Sequence, residues 1–239
     1  MNVYERHDPV KLLEGNTYPG RGIMIGQSPD GKNAVIAYFI MGRSVNSRNR
    51  VFEETDGGII TKAHDESKLE DPSLIIYAPV RTEENNIVVT NGDQTDTIVK
   101  FLKDGMSFED ALRTREFEPD APNFTPRISG ILTFDDGSFT YKMSILKSSD
   151  EKGSACSRYF YEYPSIAGVG HFIHTYNCDG DPIPTFTGEP ERIAMCDDID
   201  EFADSLWSAL NADNKISLYV RYVSLDGSLD KTRIINKNK

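Results

Sequence analysis

Cysteine, basic charge and long apolar runs are all scarce in this chain. Its three cysteines, Cys156, Cys178 and Cys196, are odd in number and far apart. They supply neither a disulfide framework nor a CxxC metal pair, and so read as structural thiols in a reducing compartment. Lysine and arginine total 26 against 38 acids, a formal net charge of -12. Nucleic acid and anionic membrane both reward a broad basic face, so neither is expected as a partner. No run reaches the roughly 18 apolar residues of a membrane-spanning helix. The opening residues, MNVYERHDPVKLLEGN, lack the apolar core of a signal peptide. A cytoplasmic protein is therefore the expectation. A Walker A loop and a GxGxxG turn are also missing.

Metal sites fail on spacing. His171 and His174 are three apart in an expected strand and so face opposite ways. The run Asn177, Asp179, Asp181 imitates the start of a calcium loop, but Pro182 stands where its glycine belongs and Gly188 where its bidentate glutamate belongs. No metal and no cofactor is expected.

What the chain does have is a local reversal of sign. Between Tyr18 and Arg50 it carries Arg21, Lys32, Arg43, Arg48 and Arg50 against one acid, Asp30. Three of these arginines fall within Gly42 to Arg50, separated by small polar residues. Guanidinium forks and the backbone donors of such a loop suit a small anion, phosphate above all. A solvated turn after an apolar strand fits the same residues, and this stretch alone leaves both readings open.

Periodicity assigns the elements. A short helix is expected at Pro9 to Glu14. Strands are expected at Gly22 to Gly26, Asn33 to Gly42, Arg50 to Glu54, Gly58 to Lys62, Ser73 to Arg81 and Asn86 to Asn91. After Asn91-Gly92 the apolar residues fall at helical spacing, giving two helices broken at Asp104-Gly105. Asp93 or Thr95 would cap the first, and Ser107 with Asp110 the second. Three prolines make EPDAPNFTPR an extended connection. Strands follow at Ile128 to Phe134, Ser138 to Leu146, Cys156 to Tyr163 and Gly170 to Asn177, then a helix at Asp198 to Ala212 and a hairpin around Asp226-Gly227. Many strands with few, non-alternating helices indicate an α+β fold. No repeat or linker divides residues 1–239, so a single domain is expected.

Two polar clusters remain. Asn91 to Asp96 sits where a strand hands over to a helix, a junction that either caps the helix or presents donors to a ligand. Glu118 to Arg127 places a carboxylate, an amide and a guanidinium in a proline-stiffened segment.

Taken in order, YPGRGI, GRSVNSRNR, VVTNGDQTDTI and NFTPRISG resemble the archaeal-type IMP cyclohydrolase family, which also has bacterial members; GHFIHTYN and PTFTGEP look like its bacterial branch. The resemblance implies a four-layer α-β-β-α sandwich like that of N-terminal nucleophile hydrolases, without self-processing. It also implies a purine-nucleotide substrate and ring closure of 5-formamidoimidazole-4-carboxamide ribotide to IMP and water. Carried over to this chain, the catalytic residues would be Arg50, Tyr77 and Glu118. Arg21 and Arg43 would hold the 5′-phosphate, and Asn91, Asp93, Thr95, Asn123 and Arg127 the base and ribose. The chain departs from the archaeal pattern in a longer N-terminus, an insertion within EPDAPNFTPR and a longer C-terminal half, which leaves homo-oligomer formation open. Two other readings stand beside it: a nucleotide-binding regulator without turnover, and an amide hydrolase with a processed nucleophile.

Overall fold

The computed structural model describes residues 4–68 and 76–238. Asp8 caps the first helix, α1 (Pro9–Gly15), by accepting from the Val10 N–H, with Pro9 at the opening position where no N–H is needed. The strands β1 (Arg21–Gln27) and β2 (Asn33–Met41) follow, joined by a Pro29-Asp30-Gly31 turn, whose residue types favour one. Asp30 fixes that turn by accepting from Ser28 Oγ and the Lys32 N–H, and Gly31 takes φ +74°.

A four-residue helix, α2 (Val45–Arg48), interrupts the arginine loop before β3 (Arg50–Thr55) and β4 (Gly58–Ala63). Then come β5 (Val80–Glu83), β6 (Asn86–Thr90), α3 (Gln94–Lys103), α4 (Phe108–Arg113), β7 (Arg127–Asp135), β8 (Ser138–Ser148) and β9 (Cys156–Pro164). The chain continues through β10 (Val169–His174), β11 (Glu191–Ala194), α5 (Ile199–Ala209), β12 (Lys215–Ser224) and β13 (Asp230–Asn236).

These strands form two antiparallel sheets. The six-stranded sheet runs β11-β10-β1-β2-β12-β13, and the seven-stranded one runs β3 through β9 in chain order. Side-chain alternation along β2 explains the packing. Ile36, Tyr38 and Ile40 join Phe52, Val89, Leu132 and Met143 in a core between the sheets. Val35, Ala37 and Phe39 point the other way, onto Leu13 of α1 and Phe202 and Leu206 of α5. Ile98 and Val99 of α3, with Phe108 and Leu112 of α4, cover Val88, Ile131 and Leu146 of the other sheet. Buried on both faces, β2 reads as an unbroken apolar run.

Several expectations need correction. Of the strand expected at Ser73 to Arg81, residues 73–75 lie outside the described residues; 76–79 are not strand, and pairing starts at Val80. Tyr77 thus sits in a loop, where its carbonyl accepts from the Thr61 N–H at 2.9 Å. Asp93 occupies the cap position of α3 but makes no capping bond, because its carboxylate is held by Arg115 and Arg127. Thr95 lies within α3 rather than before it. The segment EPDAPNFTPR is not extended throughout: it turns at 121–123, where Asp120 accepts from the Thr125 N–H and its carbonyl from the Asn123 N–H. Strand β11, four residues without alternation, was not expected.

Two sheet edges are closed by other parts of the chain. Asn236 accepts from the Phe52 N–H at 2.8 Å and donates to the Phe52 carbonyl at 3.0 Å, joining the last strand of one sheet to the first strand of the other. His7 exchanges backbone bonds with β11, donating to the Arg192 carbonyl and accepting from the Ala194 N–H. Replacing Asn236 with Ala leaves both Phe52 groups unpaired at a half-buried edge. A loss of about 1–3 kcal/mol is expected, read as a lower urea midpoint with an unchanged slope.

Candidate active site

At one end of the two sheets, the arginine loop and the turn after α4 enclose a pocket of about 400 Å³, lined by Arg21, Ser44, Asn46, Ser47, Arg50, Glu118, Pro119 and Asp120. The loop is tightly determined. Ser44 and Ser47 form a reciprocal capping box around α2. A Cβ on Gly42 would fall 2.3 Å from Ser47 Oγ, so only glycine lets the chain close there.

This geometry sends the arginines to different fates. Arg48 donates to the Gly42 carbonyl and to Asn214, a structural role. Arg43 pairs with Asp179 at 2.6 Å, donates to the Gly180 carbonyl and lies over the Tyr18 ring. Arg50 turns inward and is only 2 % exposed; its guanidinium donates to the carbonyls of Ser47 at 2.7 Å and Met41 at 3.5 Å. Burial lowers its pKa, and the neighbouring charge of Arg21 lowers it further. Arg21, at the start of β1, has a buried Nε without a partner. Burial would lower its pKa too, but Glu118, Tyr176, Tyr18 and Tyr77 around it outweigh that and raise it. Both guanidiniums stay charged.

Glu118 supplies the complementary acid. Burial raises its carboxyl pKa above the ordinary value, against the opposing pull of Arg21 and Arg127. Its backbone is fixed by the Thr125 carbonyl, which accepts from the Glu118 N–H at 2.9 Å. Beside the arginines, the hydroxyls of Tyr77 and Tyr38 lie 3.1 Å apart, and Tyr77 is 7 % exposed. Burial, then the neighbouring Tyr77, pushes the Tyr38 hydroxyl pKa well up, so Tyr38 holds its proton. A further chain runs from Tyr176 through Thr125 to Asp120, with steps of 2.6 and 2.5 Å. Tyr176 stacks on Tyr18, and burial pushes its pKa up to about 12.

The strand-to-helix junction is internally bonded. Asn91 is buried, donating to the Pro126 carbonyl and accepting from Gln94 and the Ile128 N–H. Thr95 shares a 2.7 Å hydroxyl bond with Thr90. Arg127 is held by Gln94 at 2.7 Å and Asp93 at 2.9 Å; a Cβ on Gly92 would lie 2.2 Å from it. Asn123 accepts from the Ile183 N–H at 3.1 Å. Of the ten expected residues, Arg21, Arg50 and Glu118 therefore line one pocket, with Tyr77 acting on both arginines and Arg127 on Glu118. Asn91, Asp93 and Thr95 form the framework behind Arg127, and Asn123 and Arg43 are bound to the segment around 179–183.

Sequence reasoning missed Asn46, Tyr38, Asp120 and Tyr176. Asn46 carries a buried oxygen without a partner in this pocket. Tyr38 was hidden in an apolar strand, whereas Tyr176 stands in the HFIHTYN run. Among the described residues, no cluster of three or more His, Cys, Asp or Glu is placed to hold a metal ion, and no helix is long and apolar enough to cross a membrane.

Comparison with known proteins identifies relatives of this chain. The chain is 26 % identical over 165 residues to an IMP cyclohydrolase of Methanococcus aeolicus, covering 67 % of this chain and 75 % of that protein. It is 35 % identical over 119 residues to one of Methanosphaera stadtmanae, covering 48 % and 57 %. A third, from Methanopyrus kandleri, is 29 % identical over 181 residues, covering 71 % and 89 %. Residues 18–227, which hold every pocket residue and all the strands but β13, match the family described as IMP cyclohydrolase-like protein, and the chain belongs to that family.

Proposed function

We propose that this chain is an IMP cyclohydrolase, closing the ring of 5-formamidoimidazole-4-carboxamide ribotide to IMP with release of water. The observation that carries the reading is a pair of neighbouring guanidiniums, Arg50 buried and Arg21 half-buried, beside a carboxyl whose burial favours its protonated form. The pocket volume falls in the range of about 300–1,000 Å³ usual for small ligands. The finer architecture we infer is the four-layer α-β-β-α sandwich of N-terminal nucleophile hydrolases, supported by apolar clusters between the sheets and beneath each helix pair. A single domain is supported by the long span of the family match.

The carboxamide nitrogen is a poor nucleophile, but its target, the formyl carbon, lies in the same molecule, so holding the reactive rotamer removes most of the entropic barrier. Attack forms the N–C bond and leaves negative charge on the formyl oxygen. In this reading Tyr77 donates to that oxygen while Tyr38 donates to Tyr77, and Arg50 stabilises the charge. One proton of the attacking nitrogen reaches the oxyanion and makes a hydroxyl. Protonated Glu118 then gives its proton to that hydroxyl, which leaves as water as the C–O bond breaks, and takes up the formamide N–H proton as the C=N bond of IMP forms. Every oxidation state is unchanged, so these steps require no redox cofactor.

Arg21 binds the 5′-phosphate, and Arg43 joins it by exchanging Asp179 for the ligand. Arg127 reaches the base or ribose, with Asn91, Asp93 and Thr95 setting its position and Asn123 ordering the adjoining wall. The substrate class and the soluble chemistry of the step fit a cytoplasmic enzyme.

Ring closure is tested by the absorbance change when chelator-treated protein meets the formylated ribotide, with IMP confirmed by chromatography. Tight IMP binding without acceleration would instead indicate a regulator. Glu118→Gln should lower kcat about 100- to 10,000-fold with IMP affinity nearly unchanged; wild-type turnover would remove Glu118 from the mechanism. Arg21→Gln should weaken IMP binding while leaving inosine binding almost as it was, and equal losses for both ligands would place the phosphate elsewhere.

The raised pKa of Glu118 also fixes a stability trend. A carboxyl with a raised folded pKa stabilises the fold below its unfolded value, about 4.3, and loses that contribution as pH rises through the folded value. Thermal melts should therefore show Glu118→Gln gaining on the wild type from about pH 4 upward. A constant difference would contradict the burial argument.

A further inference from the structure

We propose that β9 is an interface strand, on which a second copy of this chain pairs antiparallel about a two-fold axis at Phe160. The observation behind it is an imbalance among the sheet edges. Strand β3 is closed by Asn236 and β11 by His7. Strand β13 carries Lys231 and Arg233, the basic residues that commonly discourage edge pairing. Strand β9, nine residues long, is bridged on its outer edge by no other backbone among the described residues; its sequence CSRYFYEYP carries a single basic residue, Arg158, and one acid, Glu162, is rich in aromatics, and Tyr159 is 44 % exposed.

The register of β9 decides which groups it offers. The Ser149 N–H donates to the Ala155 carbonyl across the hairpin, which makes that pair a bonded one. Alternation along the ladder then directs the N–H and C=O groups of Ser157, Tyr159, Tyr161 and Tyr163 toward β8. Those of Arg158, Phe160 and Glu162 point outward. Among the described residues they have no backbone partner.

Only one two-fold register satisfies this edge in both bonds and charge. Centred on Phe160, it sets each Arg158 opposite a Glu162 and each Tyr159 opposite a Tyr161. Arg158 with Glu162, Phe160 with Phe160 and Glu162 with Arg158 would each exchange both backbone bonds. The side chains are complementary in charge: Glu162 is 69 % exposed and makes only a 3.8 Å contact with Lys142, while Arg158 donates to the Arg115 carbonyl at 2.8 Å and the Cys156 carbonyl at 3.3 Å and meets a carboxylate only at 3.8 Å, on exposed Glu116, so its charge is not closely paired among the described residues. Centring on Tyr159 or Tyr161 would set a charge against Phe160 and leave it unmatched. Pro164, which has no N–H, falls at the end of the ladder opposite Cys156, where its carbonyl alone is needed. The partner is thus specified by β9 itself, whose charges are self-complementary under a two-fold axis.

Sedimentation velocity on the intact chain tests this. The wild type should run as a dimer, and Glu162→Lys, which sets like charges opposite each other twice, should run as a monomer. Adding Arg158→Glu to Glu162→Lys should restore the dimer. Glu162→Pro is an independent variant: it removes an outward N–H that β8 does not use, so it should yield monomers with an unchanged far-ultraviolet circular dichroism spectrum. A monomeric wild type overturns the proposal. So does a dimer that survives both Glu162→Lys and Glu162→Pro, since the contact would then lie elsewhere.

Discussion

Two guanidinium groups are kept charged in a place that water barely reaches, and the rest of the site is arranged around that constraint. Arg50 is held by carbonyl oxygens rather than by a carboxylate, so its position is fixed while its charge remains available. Arg21 retains an unused donor beside it. A pair of this kind is tolerable only with compensation nearby. Glu118 offers part of it, at the cost of a carboxyl displaced from its ordinary titration range. An anionic ligand would supply the remainder. The same desolvation strengthens the field of the two guanidiniums inside the pocket, which favours an anionic guest over a neutral one.

The double-sheet architecture creates the place where this can happen. β1 contributes Arg21, β2 contributes Tyr38, and β3 opens on Arg50, so three strands of two sheets deliver side chains to one end of the shared core. Behind them, Asn91, Gln94, Thr90 and Thr95 form a buried hydrogen-bonded layer that holds Arg127 from below. That layer is satisfied almost entirely within the chain. It acts on the pocket through geometry, as a frame for the groups that face the ligand.

Local chemistry was legible in the sequence and distant contact was not. The turns at Asp30-Gly31 and Asp136-Gly137, the capping box at Ser107, the helix carrying Phe202 and Leu206 and the concentration of arginines all follow from residues a few positions apart. Tyr77 was assigned to a strand, because the apolar run around it mimics β periodicity, whereas it sits in a loop. Asn91 and Thr95 looked like ligand contacts because a polar strand-to-helix junction reads the same whether it faces solvent or is folded under Arg127. Asp120 and Tyr176 join only through Thr125, and that link spans too much sequence to be read from spacing.

The two sheets also differ in when they can be completed. The seven-stranded sheet is a meander in chain order, so each strand finds its neighbour soon after it is made. The six-stranded sheet cannot be finished that way: β2 must wait for β12, and β3 is not tied in until Asn236 arrives. The arginine pocket lies between an early β1 to β3 segment and this late closure. On a ribosome, Arg21 and Arg50 would emerge early, yet β12 and the Asn236 tie to β3 would be the last parts of the chain delivered. Until then the charged pair is exposed to water, where leaving it unneutralised costs little.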